Sequence, residues 1–122
     1  MFFDTRYFWA VLTAKDREAT IKLKALFDRS KPAYTSSVCL FEVYKLTLAS
    51  EGKDVAELRT ATIERDFQVV AVDAEIAREG AVLAHRLQVP MADAMIMATA
   101  KRLHLACVTD DPHFTEVKRV WV

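Results

Sequence analysis

The stretch that decides the fold is residues 90–114, PMADAMIMATAKRLHLACVTDDPHF. Residues 90–103 are rich in Ala, Met, Leu and Lys, with no Gly and no Pro beyond Pro90, a composition that favours helix. His104 ends it, and Leu105–Val108 is a short apolar run suited to a buried strand. Thr109-Asp110-Asp111-Pro112 then breaks the pattern with turn chemistry. A helix of about 14 residues rises about 21 Å, and a strand of about five climbs back about 16 Å. Set antiparallel, as in a βαβ unit, they return Asp93 and Asp111 to one level. That level is the carboxyl edge of a parallel sheet, where open α/β folds keep their sites.

Outward from this stretch, the chain alternates short apolar runs with helical ones. Phe2 and Phe3 read as a buried strand with Asp4 at its carboxyl end, followed by a short helix, Arg6–Leu12. A second helix is expected over Lys15–Asp28, with Ile21, Leu23, Leu26 and Phe27 inward, ended by Ser30-Lys31-Pro32. Tyr34–Ser36 is a brief strand or a lead-in, and Ser36 or Ser37 caps the apolar helix Val38–Ser50, which Gly52 closes. Lys53–Asp66 reads as a helix with Val55, Leu58 and Ile63 inward. Gln68–Val72 is a β-branched strand, and Asp73 caps a helix to Leu87 with Gly80 inside it. Past the acidic loop, His113–Val117 reads as one helical turn and Arg119–Val122 as an edge strand. Strands separated by helices argue for an α/β fold with a mainly parallel sheet and right-handed crossovers.

The 122 residues suit a single domain, 1–122. Hydrophobic residues make up 52%, which excludes disorder, and 2 Gly with 3 Pro disfavour a turn-rich all-β protein. The 17 basic and 17 acidic residues balance, so any basic surface for nucleic acid must be local. No apolar run is long enough for a membrane helix, and MFFDTRYFWAVL lacks the basic start of a signal peptide. Cys39 and Cys107 lie in apolar segments without metal-site spacing, so reduced, buried thiols in a cytoplasmic protein are expected.

Four acids gather at one sheet edge on this reading: Asp4, Glu42, Asp93 and Asp111. Each has an ordinary account. Asp4 suits a turn, Glu42 a solvated position on a surface helix, Asp93 a helix N-terminus, and Asp111 an N-cap before Pro112. Their convergence is what matters, together with the isolation of Glu42 on an otherwise apolar helix. Clustered carboxylates cannot all ionise unless a cation joins them. Oxygen ligands suit Mg²⁺ or Mn²⁺, which support phosphodiester hydrolysis. Other acidic α/β sites fit less well. A receiver-type site needs an acidic pair after the first strand, and haloacid-dehalogenase-like enzymes need Asp-x-Asp where this chain has Asp4-Thr5-Arg6. Two glycines make no phosphate loop, and His85, His104 and His113 show no zinc spacing. His113 is near the acidic loop and could touch phosphate, but it is read as a loop histidine without a role in the site.

Asp4-Thr5 after an apolar start, Glu42 in an apolar helix, Asp93-Ala94 opening an Ala-rich helix, and Thr109-x-Asp111-x-x-Phe114 together resemble a PIN domain. Length and the order of acids resemble most the VapC-type toxins of toxin–antitoxin pairs. The resemblance implies a three-layer α/β/α sandwich and an Mg²⁺- or Mn²⁺-dependent endoribonuclease, a homodimer held inactive by a cognate antitoxin. It implies a metal site of Asp4, Glu42, Asp93 and Asp111, with Thr109 bonded to the site and Thr5 ordering the loop after Asp4. Arg6 stands where the family often has Ser or Asn, and Ile96 where some relatives carry a further acid. The spacing selects Asp111, while the adjacent Asp110 could share its role. RNA phosphates need local cations, and Arg6, Lys45, Arg86, Lys101 and Arg102 are the candidates. Tyr7, Trp9, Phe41 and Tyr44 could line an apolar groove for a dimer mate or antitoxin segment, with the core favoured for Phe41. The alternatives are a PIN nuclease of RNA maturation or turnover without an antitoxin, and a PIN-like module that binds RNA or protein without cleaving.

Overall fold

The computed structural model describes residues 1–122. Phe2 and Phe3 form β1, the central strand, because two fully apolar residues can be buried on both faces of a parallel sheet. The other strands are β2 (Tyr34–Ser36), β3 (Gln68–Val70), β4 (Cys107–Val108) and β5 (Arg119–Val120). The order is β3-β2-β1-β4-β5, and every pairing is parallel. Six helices complete the α/β/α sandwich: α1 (Thr5–Thr13), α2 (Arg17–Lys24), α3 (Ser37–Glu51), α4 (Lys53–Asp66), α5 (Ala74–Leu87) and α6 (Met91–Arg102).

The chain runs outward from β1 to β3, then returns to the other side of β1 as β4. The gap between the carboxyl ends of β1 and β4 is therefore the topological switch point, where an open sheet leaves a crevice. Asp4 directly follows β1 and Thr109 directly follows β4. Their strands are in register, Phe2 beside Cys107 and Phe3 beside Val108, and the backbone N–H of Asp4 donates to Val108 O at 3.2 Å. The loop 109–118 joins β4 to β5 without a helix, which suffices because each strand is only 2 residues long.

The core gathers around β1. Phe3 meets Tyr7, Phe27 and Phe67 edge-on, with ring centroids 4.8, 6.2 and 5.2 Å away. On α6, Ala94, Ala98 and Ala100 are buried with Ile96 and Met97, so small residues let this helix pack closely. Gly80 of α5 uses the same economy of space: a β-carbon there would meet the Met95 side chain at 3.2 Å.

Several expectations need correction. The second helix spans Arg17–Lys24 rather than Lys15–Asp28, and Ile21 is 59% exposed. Leu58 is 68% exposed; the inward face of α4 is Ala56, Thr60 and Ile63. Phe41 is 64% exposed and not core. His113–Val117 makes turns, not a helical turn. Ile21, Leu58 and Phe41 share one cause: apolar side chains were assigned inward by type, although a surface helix leaves some of them facing out.

Candidate metal centre

Asp4 is built in by its neighbours. It caps α1, with Oδ1 accepting the Thr5 backbone N–H at 2.7 Å. Its Oδ2 accepts the Thr109 hydroxyl at 2.8 Å, so one carboxylate ties the end of β1 to the end of β4. Asp4 is 2% exposed. Burial pushes its carboxyl up to about 7; the bonds from Thr109 and Thr5 oppose this, and the nearby Asp93 adds to it.

Thr5 carries the network onward, donating its hydroxyl to Glu42 Oε1 at 2.8 Å. Glu42 reaches this point because Ser36 starts α3, its hydroxyl accepting the Val38 N–H at 3.0 Å, and so sets the phase of the helix. On the other side, the Thr109 hydroxyl accepts the Asp111 backbone N–H at 3.0 Å. A chain of hydrogen bonds thus runs from Glu42 through Thr5, Asp4 and Thr109 to the backbone of Asp111.

Asp93 lies in the first turn of α6, whose cap, Pro90, offers no side-chain acceptor. The helix N-terminus favours an acid there. Even so its carboxyl is held above the usual range, first by burial and then by the charge of Asp111. Asp111 accepts the His113 backbone N–H on Oδ1 at 2.9 Å, and Arg119 donates to its carbonyl at 3.3 Å. His113 Nδ1 lies 3.1 Å from both Asp93 Oδ2 and Asp111 Oδ1. Ligand atoms of Asp93, Asp111 and His113 lie within 4.8 Å of one another.

The two adjacent acids separate cleanly. Asp110 turns away into a bidentate pair with Arg6, at 2.8 and 3.1 Å, which holds its carboxyl below the usual range. Asp111 faces Asp93. Among the candidate cations, Arg86 and Lys101 are taken by Glu116 at 2.6 and 2.8 Å, and Arg102 by Asp73 and Glu75 at 3.2 and 2.5 Å. Lys45 forms no ion pair and Arg6 stands beside the acids, coupled by charge to Asp4 and Asp111.

His113 is the site residue that sequence reasoning missed. The signal was Asp-Pro-His: an Asx turn, in which the acid bonds the backbone two residues on, folds the third side chain back over the carboxylate. The donor set fits a divalent cation, since carboxylates of limited exposure are gathered with no lysine or arginine bonded to Asp93 or Asp111 side chains.

A second feature lies on the far side of α1. Tyr7, Phe8, Val11, Leu12, Leu58 and Phe67 line an open apolar groove of about 530 Å³, edged by Lys24, Arg29 and Arg59. Tyr7 joins it as expected; Phe41 and Tyr44 lie instead in a separate, shallower depression with Leu40 and Leu48, and Trp9 lines neither.

Residues 1–120 match the family model for the PIN domain. Comparison with curated proteins gives no match. Among solved structures, the chain is similar to a toxin–antitoxin complex from Klebsiella pneumoniae, with TM-score 0.75, 18% identity, and 98% of this chain and 94% of that one covered. It is similar to VapC20 of Mycobacterium tuberculosis, described as a sarcin–ricin-loop-cleaving toxin, with TM-score 0.78, 20% identity, and coverage of 93% and 92%. A VapBC-5 structure from M. tuberculosis is 26% identical with TM-score 0.63, and 99% and 95% are covered.

Proposed function

We propose that this chain, which belongs to the PIN-domain family, is a metal-dependent endoribonuclease and the toxin of a VapBC-type pair. The observation that carries this reading is the gathering of Asp4, Glu42, Asp93 and Asp111 around the β1–β4 crevice. Asp93 and Asp111 would hold the ion at the mouth, with Asp4 and Glu42 completing the acidic wall behind it. A bound Mg²⁺ or Mn²⁺ supplies an activated water and neutralises charge on the phosphate. Thr5 and Thr109 keep the inner carboxylates oriented, each through its hydroxyl. Arg6, anchored by Asp110, offers its remaining N–H groups to an RNA phosphate, and the unpaired Lys45 offers a second contact.

The apolar groove supports an antitoxin partner. Its lining comes from the faces of α1 and α4, and its edge carries the unpaired Lys24 beside Arg29 and Arg59, which are paired with Asp66 and Glu51, so it fits an amphipathic apolar segment with an acid to meet Lys24. Exposed Phe41, Leu46 and Leu48 on α3 support a homodimer. No helix is long and apolar enough to cross a membrane, in keeping with a cytoplasmic site of action.

RNA cleavage with Mg²⁺ or Mn²⁺ is expected, stopped by a chelator and nearly abolished in Asp93→Asn. Robust cleavage by that variant would break the assignment. Expression should arrest growth, and co-expression of the protein encoded beside it should relieve the arrest. Leu58→Lys should prevent relief while leaving cleavage intact. Cleavage without any such relief would favour an enzyme of RNA maturation instead.

A further inference from the structure

We infer that His113 is a ligand of the divalent ion and gives the site a preference for Mn²⁺ over Mg²⁺. The inference rests on the nuclease reading for the place of the ion, but its test does not depend on cleavage. His113 Nδ1 lies 3.1 Å from Asp93 Oδ2 and 3.1 Å from Asp111 Oδ1. Neighbouring donors around an octahedral ion at about 2.1 Å stand about 3.0 Å apart. The nitrogen is thus already spaced from both carboxylates as a third ligand would be.

The ring is held there from both sides. Asp111 Oδ1 accepts the His113 backbone N–H at 2.9 Å, and the next residue, Phe114, is fully buried. Nε2 has no hydrogen-bond partner in the protein and is free to carry the ring proton, so an ion that takes the place of the proton shared between Nδ1 and the two carboxylates meets the Nδ1 lone pair. The choice of metal follows from the donor. Mg²⁺ demands oxygen ligands and keeps its waters, so an imidazole adds little to its binding. Mn²⁺ has the same charge and shares the taste of Mg²⁺ for carboxylate oxygen, but as a transition ion it takes an imidazole nitrogen at less cost than Mg²⁺ does.

The test is Mn²⁺ binding by the metal-free protein, titrated with manganese chloride and followed by electron paramagnetic resonance, with magnesium chloride as competitor. Pulsed spectra should show coupling between bound Mn²⁺ and one nitrogen. His85 and His104 lie outside the cluster, so the coupling should vanish in His113→Ala. That variant should bind Mn²⁺ roughly tenfold more weakly, while Mg²⁺ affinity changes by less than about threefold. His113→Asp, which replaces nitrogen with oxygen, should turn the preference toward Mg²⁺. Circular dichroism should show unchanged folding in both variants, since the ring is exposed. Mn²⁺ bound without nitrogen coupling, or an equal loss for both ions, overturns the inference. Absence of Mn²⁺ binding overturns it together with the nuclease reading. A protein that shows the coupling but cuts no RNA breaks the nuclease reading alone.

Discussion

The acidic site has two halves made of the same side-chain chemistry and built in opposite ways. In the inner half, Asp4 spends both carboxylate oxygens on Thr5 and Thr109, and Glu42 is tied by the Thr5 hydroxyl. In the outer half, Asp93, Asp111 and His113 lean on one another at the mouth and are partly open to solvent. The inner half is part of how the fold closes between β1 and β4. The outer half is held apart from the packing, and its mutual repulsion is left for a ligand to relieve. Changes in the two halves should therefore fail differently: inner ones in stability as well as activity, outer ones in activity alone.

The sharpest way to break this comparison is to remove one charge at a time from the adjacent acids. Asp111→Asn should lower RNA cleavage about a thousandfold, equivalent to about 4 kcal/mol of transition-state stabilisation. Asp110→Asn should lower it only several-fold, since Asp110 acts through Arg6. Both should melt within a few degrees of the wild type, measured by calorimetry; similar activity loss in the two would erase the distinction between them.

The next test reads the buried carboxylate through pH. Asp4 is held up to about 7 in the fold, above an unfolded value of about 3.9, so the fold favours its neutral form. In chelator, that stabilisation is complete below the unfolded value and is lost as pH rises through about 7. Asp4→Asn does not titrate there. The stability of the wild type relative to this variant should fall by an amount on the order of 2–4 kcal/mol between about pH 4 and about pH 8. Urea denaturation at both values measures it, and a flat difference would show that Asp4 is already ionised. Adding Mn²⁺ at the higher pH should recover the wild type but not the variant.

Thr109→Val keeps the shape and removes the hydroxyl that joins Asp4 to the Asp111 backbone. It should cost about 1–3 kcal/mol in denaturant stability and reduce cleavage in parallel. The smallest effect belongs to Arg6→Ala. Its pair with Asp110 is largely exposed, so stability should change by less than about 1 kcal/mol. KM for RNA should nevertheless rise several-fold with kcat little altered, and an unchanged KM would remove Arg6 from substrate binding.

The two halves also differ in how far the sequence disclosed them. Asp4 and Asp93 were legible because each sits at an element boundary, where residue type carries positional meaning, a strand end and a helix first turn, whereas the role of Thr109 came from the family resemblance. The meeting of Asp93 with Asp111 followed from the lengths of one helix and one strand. The choice between Asp110 and Asp111 needed the family spacing, and the structure supplies its physical basis in the bond from Arg6 to Asp110. His113 was not legible, because histidine in a loop has many uses and only the Asx turn at Asp111 aims it inward. The outward faces of Leu58, Ile21 and Phe41 were not legible either. Apolar character is the same for a residue filling a core and one lining a groove, and only the packing of helices around it separates them.

The position of β1 at the centre of the sheet has a consequence for timing. The first strand to emerge during synthesis has to wait for β4, more than 100 residues later, before its carboxylate finds Thr109. The early helices can pack while the chain is still growing, yet the crevice has only one wall until Thr109 and Asp111 are made. A ribosome translating this message therefore carries no active nuclease until synthesis is nearly finished. On the proposed reading, an antitoxin already folded nearby would meet the apolar groove on α1 and α4, made from residues 7–67, before the site is complete.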